Sequence, residues 1–217
     1  MTSEFNDFRA CNNEKMLRRI IQALRKRDFE AEYFADAISA NDTLLKMIPD
    51  NSRVGIGGSV TIRELRVIEQ LEKRGNEVTH HWKPEITKET NRAIRQKEGT
   101  ADFYLTSANA ITEQGDIINI DGIGNRVAHM IYGPDNVIII AGSNKIVPDI
   151  EAGIRRSREI AGVINAKRVG VKTPCAETGK CVDCKAPARI CRVTTIMQYR
   201  PWQTNIKVML INEILGF

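Results

Sequence analysis

The chain has 217 residues, 42% of them apolar and 27% charged, with a formal net charge of +5 and a pI near 9.0. That size admits one large domain, or a domain with a small appendage, and supplies enough apolar residues for a real core. No apolar run reaches the roughly 18 residues that a membrane span needs. The start of the chain, with Glu4, Asp7, Arg9, Glu14 and Lys15, lacks the apolar stretch of a secretory signal, so a cytoplasmic protein is expected.

The first fifty residues read as helical. Met16, Leu17, Ile20, Ile21 and Leu24 keep the spacing of one apolar helix face, and Phe34, Ala37 and Ile38 extend it. Asn41-Asp42 is a break or a fresh cap, and Leu44, Leu45, Met47 and Ile48 form a last short helix before Pro49. Residues 1–50 are therefore expected as a helical segment packed on a main α/β domain spanning 51–217. The basic clusters Arg18-Arg19, Arg25-Lys26-Arg27 and Arg155-Arg156-Ser157-Arg158 lie on predicted helices beside Asp28, Glu30, Glu151 and Glu159. That mixture is the pattern of a solvated face rather than a nucleic-acid surface, and a small anionic metabolite suits the mild positive excess.

From Arg53 the texture changes. Val54-Gly55-Ile56-Gly57-Gly58 is a short strand entering a glycine turn, and Ser59 or Thr61 caps the helix that follows, with Thr61 and Glu64 spaced for a capping box. Glu77 to His80 forms a second strand, broken at Lys83-Pro84. A helix from about Ile86 to Lys97 and a third strand at Asp102–Leu105 follow. Strand and helix alternating at this pace predict a mostly parallel sheet with right-handed crossovers.

The middle of the chain holds the densest polar chemistry. A strand running to Thr112 turns at Gln114-Gly115-Asp116 and returns as a second strand to Asp121-Gly122. Gly124-Asn125-Arg126 then opens a short helix. Asn109, Asp121, Asn125 and Arg126 are thus gathered at strand ends, where α/β proteins keep their ligand sites; the same residue types also serve as ordinary turn and cap formers. Asp121 is the candidate acid, base or hydroxyl-binding group. The turns at Gly57-Gly58-Ser59 and Gly122-Ile123-Gly124 offer backbone N–H groups to an anion, and Arg126 and Lys145 offer cations. The apolar run Val137–Ala141 reads as a buried central strand leading to Gly142-Ser143-Asn144-Lys145, with Asn144 a further ligand-binding candidate. Pro148 starts a helix continuing to about Ala161, and two last strands run Val193–Tyr199 and Ile206–Ile211. His80, His81 and His129 stand without metal-ligand spacing and read as packed or exposed side chains. Neither a dinucleotide fingerprint nor a P-loop occurs.

Cys175, Cys181, Cys184 and Cys191 cluster near the end, spaced C-x5-C-x2-C-x6-C. In a reducing compartment such a cluster points to metal or redox chemistry before disulfides. Four thiolates can hold zinc or an iron–sulfur cluster, and the spacing does not choose between them; free thiols with a reversible disulfide are the alternative.

Several of these stretches together resemble the LUD (lactate utilisation) domain family. They are Gly55-Ile56-Gly57-Gly58-Ser59, Ala108-Asn109-Ala110-Ile111-Thr112, Asn119 to Ala128, Ala141-Gly142-Ser143-Asn144-Lys145-Ile146 and Lys172-Thr173-Pro174-Cys175. The resemblance implies a fold similar to the NagB/RpiA/CoA-transferase superfamily, an α/β sandwich whose glycine loop and Asp-Gly loop face one another across a ligand cleft. It also implies a role near the oxidation of lactate, where such domains accompany iron–sulfur partner proteins. The four-cysteine loop resembles that of a stand-alone branch of the family. Three functional classes stay open on the sequence: an accessory redox subunit, an enzyme acting on a small phosphorylated, carboxylated or CoA-linked metabolite, and a non-catalytic binding module. Oligomeric state is open too, a homo-oligomer included.

Overall fold

The computed structural model of the chain describes residues 4–83 and 85–217, so the expected break at Pro84 lies outside the described residues. Among the described residues, ten strands form two sheets. The larger sheet is parallel throughout, in the order β1 (Glu30–Phe34), β10 (Asn205–Ile211), β7 (Asn136–Gly142), β4 (Phe103–Thr106), β2 (Arg53–Ile56) and β3 (Glu77–His80). The smaller sheet is mixed, in the order β8 (Ile146–Val147), β5 (Ala110–Thr112), β6 (Ile117–Asp121) and β9 (Val193–Met197).

Side-chain alternation along the central strands assigns the layers. From β7, Val137, Ile139 and Ala141 meet Leu17, Ile20 and Leu24 of helix α1 (Glu4–Arg25), along with Ile111 and Ile117 of the smaller sheet. Ile138 and Ile140 face the other way, into Leu44 of α2 (Ala37–Met47), Ile62 of α3 (Val60–Glu64) and Leu71 of α4 (Val67–Lys73). The far face of the smaller sheet, through Ala110, Ile118 and Val147, is covered by Ile150 and Ile154 of α7 (Ile150–Arg156). The result is the expected α/β sandwich around a parallel sheet.

The all-helical expectation for the first fifty residues fails at Glu30–Phe34. This stretch is the edge strand β1, with Ala31 and Phe34 buried and Glu32 paired to Lys207 at 2.7 Å. Asp28, at φ 65, makes the turn out of α1. Asn41 and Asp42 lie inside α2, whose cap is Asp36, accepting from the Ser39 backbone N–H at 2.7 Å.

Two glycines are fixed by close approach. A Cβ on Gly55 would sit 2.0 Å from the carbonyl oxygen of Glu98, the last residue of α5 (Lys88–Glu98). One on Gly57 would sit 2.4 Å from the Tyr104 hydroxyl. These contacts bring the end of α5 and the strand β4 against the glycine turn, which sets the geometry of the cleft.

Candidate functional site

The C-terminal ends of β2, β3, β4 and β7 converge on one cavity of about 350 Å³. The connection leaving β2 passes through α3 and α4 on one face of the large sheet, while the residues after β4 pass into the smaller sheet on the other. A crevice opens where connections part in this way, and it is the usual ligand position in parallel sheets. Gly58, Ser59 and Thr61 line it from β2, His81 from β3, Ser107 and Asn109 from β4, and Lys145 from β7. Asp121, Gly122, Asn125 and Arg126 close it from β6 and α6 (Asn125–Ile131). The outer wall is a wide helical turn, Ser157–Gly162, with π-type geometry between α7 and α8 (Val163–Arg168). Such turns inside α-helices are frequent at functional sites.

The expected residues divide by what their side chains touch. Asp121 Oδ1 accepts from the Gly122 backbone N–H at 2.9 Å, and Oδ2 accepts from those of Arg126 at 3.1 Å and Val127 at 3.4 Å. The carboxylate therefore caps α6 and takes the Gly122 N–H, one of those expected to be open to an anion. Arg126 is a buried clamp. Nη1 donates to the Ser107 carbonyl and to Asn119 Oδ1, and Nη2 donates to Asn109 Oδ1 and the Ile120 carbonyl. Asn109 Oδ1 also accepts from the Ile120 N–H at 2.8 Å, so this carboxamide ties two strands. Gly57 and Gly124 stand behind the cavity wall; Gly124, at φ 95, turns the chain into α6. Asn144 holds the end of the chain through the Leu215 N–H and the Gly216 carbonyl, also outside the cavity wall. Ser59 caps α3 through the Ile62 N–H, and the capping box expected from Thr61 does not form. Thr61 instead accepts from Lys145, and Glu64 accepts from the Gly216 N–H.

Lys145 is the most unusual cation of the group. Its residue is only 3% exposed, and Nζ donates to Thr61 Oγ1 at 2.9 Å and Ser107 Oγ at 2.8 Å. Burial, with added repulsion from Arg156 and Arg126 and a smaller opposing pull from Glu64, pushes its pKa down to about 7.

The group best built for proton transfer is His81, whose sequence spacing suggests only a packed or exposed side chain. His81 Nδ1 lies 2.6 Å from Glu98 Oε1, with the imidazole 9% exposed and the carboxylate fully buried. Glu98 Oε2 accepts from Asn125 Nδ2 at 3.4 Å, and Asn125 Oδ1 accepts from Arg95 Nη1 at 3.1 Å. A carboxylate on Nδ1 fixes the tautomer that leaves Nε2 as the base. Nε2 stands beside Gly58 at the cavity wall, 3.5 Å from where a Cβ would be. The partners are seventeen positions apart on separate elements, so no local spacing could reveal them. Arg95 and Arg168 also line the cavity, giving it three guanidinium groups with Arg126, besides the Lys145 amine, against the side-chain carboxylate of Asp121. Tyr104, below Gly57, has a buried hydroxyl with no protein partner among the described residues, and burial holds the phenol far above its usual range.

Of the four clustered cysteines, only Cys191 reaches the cavity wall. All four are partly exposed free thiols, and among the described residues no three His, Cys, Asp or Glu side chains stand together as a metal-ligand set. No step is assigned to zinc or an iron–sulfur cluster at this loop. The loop is held by Arg189, which donates to the Cys191 and Cys184 carbonyls and to Asp183 Oδ1. Its neighbour Ile190 packs its backbone against Gly122. The loop thus forms part of the cleft's cover.

Comparison with known proteins agrees with this architecture. The sequence model described as the LUD domain matches residues 17–211. Among solved structures, a DUF162 family protein from Deinococcus radiodurans superposes with a TM-score of 0.51 at 14% identity. The match covers 92% of this chain and 98% of that one, and it shows a shared fold. No curated protein matches.

Proposed function

The chain belongs to the LUD domain family, and on that premise we propose that it is an enzyme acting on a small anionic metabolite. The substrate class is a carboxylate or phosphate carrying a hydroxyl or carbonyl group beside it. The observation that carries the reading is the His81–Glu98 pair facing a cavity whose cations outnumber its carboxylates. Arg95 and Arg168 attract and orient the anion, and His81 Nε2 takes a proton from the adjacent hydroxyl or carbon. Asp121 then keeps α6 in place instead of acting on substrate.

A hydroxy acid such as lactate has this chemistry, a carboxylate for the arginines and a 2-hydroxyl for His81, so the family's association with lactate oxidation is compatible with the cleft. An accessory redox role beside iron–sulfur partner proteins rests on the family resemblance alone. Among the described residues no helix is long and apolar enough to cross a membrane, and a cytoplasmic location remains the reading that goes with free cysteines.

The test is calorimetric titration of the chain with lactate, pyruvate, glycerate, inorganic phosphate and small sugar phosphates. Binding of at least one of them at one site per chain, weakening as salt is added, supports the reading. Binding of none of them overturns it.

A further inference from the structure

Lys145 is built differently from the arginines of the cleft. Two of its N–H bonds go to Thr61 Oγ1 and Ser107 Oγ. Each hydroxyl in turn donates to a main-chain carbonyl, Thr61 to Leu215 at 3.4 Å and Ser107 to Ala108 at 3.4 Å, so both oxygens are fixed as acceptors. Among the described residues no carboxylate pairs with this amine. Glu64, the acid whose charge acts on it, is occupied by the Gly216 N–H. The charges pressing on it from neighbouring elements are the guanidinium groups of Arg156 and Arg126. Arg156 is itself buried, donating to the Asn144 and Asn109 carbonyls. A neutral amine fits this setting: two N–H bonds donated, a lone pair remaining, and a position in the cavity wall. Desolvation beside other cations is how lysine amines are made nucleophilic.

From this geometry we infer that Lys145 captures the carbonyl group of an anionic oxo compound as an imine. The inference rests on the anion-binding reading of the same cleft and narrows its substrate class to small oxo acids and ketose or aldose phosphates. The lone pair of Nζ forms the C–N bond. The carbonyl oxygen collects the two amine protons and leaves as water, and a C=N bond remains. Once protonated, that bond draws electrons from the neighbouring C–H bond, whose proton passes to His81 Nε2. Return of the proton and hydrolysis by water restore the free amine. No oxidant or further reactant enters.

Reductive trapping tests the inference. The full chain is incubated with cyanoborohydride and, separately, pyruvate, glyoxylate or glyceraldehyde 3-phosphate, then examined by intact mass and peptide mapping. With at least one probe the chain should gain a single adduct, for pyruvate the mass of pyruvate less one oxygen atom, mapped to Lys145. Its rate should rise with pH through about 7, where the Lys145 amine loses its proton. Lys145→Met and Lys145→Arg, each shown to be folded by circular dichroism and thermal melting, should lose the adduct. No adduct with any probe, or adducts only on surface lysines that persist in both variants, would overturn the inference. Calorimetry with inorganic phosphate and L-lactate, which have no carbonyl to trap, separates the two claims. Retained binding without trapping overturns carbonyl capture alone, and loss of both overturns the cleft reading as well.

Discussion

Replacing Lys145 with Met should change how stability depends on pH. The amine is held at about 7 in the folded chain against 10.5 for the free side chain. Between those values the unfolded chain binds more protons than the native state, so stability rises with pH across the window, and the burial penalty is fully present below it. From about pH 7 to about pH 9 this single group adds roughly 2 kcal/mol to the wild type, from one unit of pKa shift being about 1.4 kcal/mol. Met has similar length and cannot titrate. The hydroxyls of Thr61 and Ser107 keep their donated bonds to carbonyls without the amine. Urea denaturation of both proteins at the two pH values cancels every other titrating group in the difference. The stability gap in favour of Met should shrink by roughly 2 kcal/mol at the higher pH. Equal pH slopes in the two proteins would refute the burial argument.

Other substitutions probe the frame around the cleft. Gly55→Ala places a methyl group 2.0 Å from the Glu98 carbonyl oxygen, and backbone on both sides cannot yield cheaply. A loss of about 3 kcal/mol in chemical denaturation is expected, at the upper end for overpacking. Tyr104→Phe removes a buried hydroxyl that has no protein partner among the described residues. The melting temperature should stay level or rise, by an amount corresponding to about 1 kcal/mol, and a clear fall would mean the hydroxyl is satisfied in solution. The four loop cysteines are partly exposed free thiols, so native protein purified without oxygen should react at all four with a thiol reagent. Protection of all four until a chelator is added would show that the loop closes around a metal.

Local pattern made much of this structure readable before the fold was known. The alternation of strands and helices from Arg53 onward, the hairpin around Gly115 and the apolar strand Val137–Ala141 all rest on periodicity and turn chemistry that act within a few residues. What escaped were pairings between distant parts of the chain. The strand Glu30–Phe34 exists because it lies parallel to β10, and its single buried aromatic fitted a helical spacing as well. Thr61 and Glu64 have capping-box spacing, but a lysine and a glycine far along the chain claim their side chains. At the site, the glycine turn, Asp121 and Lys145 were found at strand ends where topology put them. Their roles were not legible, since a carboxylate that caps a helix and one that abstracts a proton occupy the same kind of sequence. His81 looks like a lone histidine in sequence because Glu98, which orients it, lies on another element. The cysteine spacing was legible as a pattern, and of the four only Cys191 lies at the cavity wall.

The measurement closest to the central claim is exchange of substrate hydrogens with solvent. Incubation of pyruvate, glyceraldehyde 3-phosphate and dihydroxyacetone phosphate with the chain in deuterated buffer, followed by proton NMR, reports proton abstraction beside the carbonyl without requiring the complete reaction. The account predicts catalysed deuterium incorporation into at least one of them. His81→Gln should lower its rate by roughly 100-fold or more while leaving calorimetric binding of the same compound in place. Exchange no faster than in protein-free buffer, or a rate unaffected by His81→Gln, would contradict it.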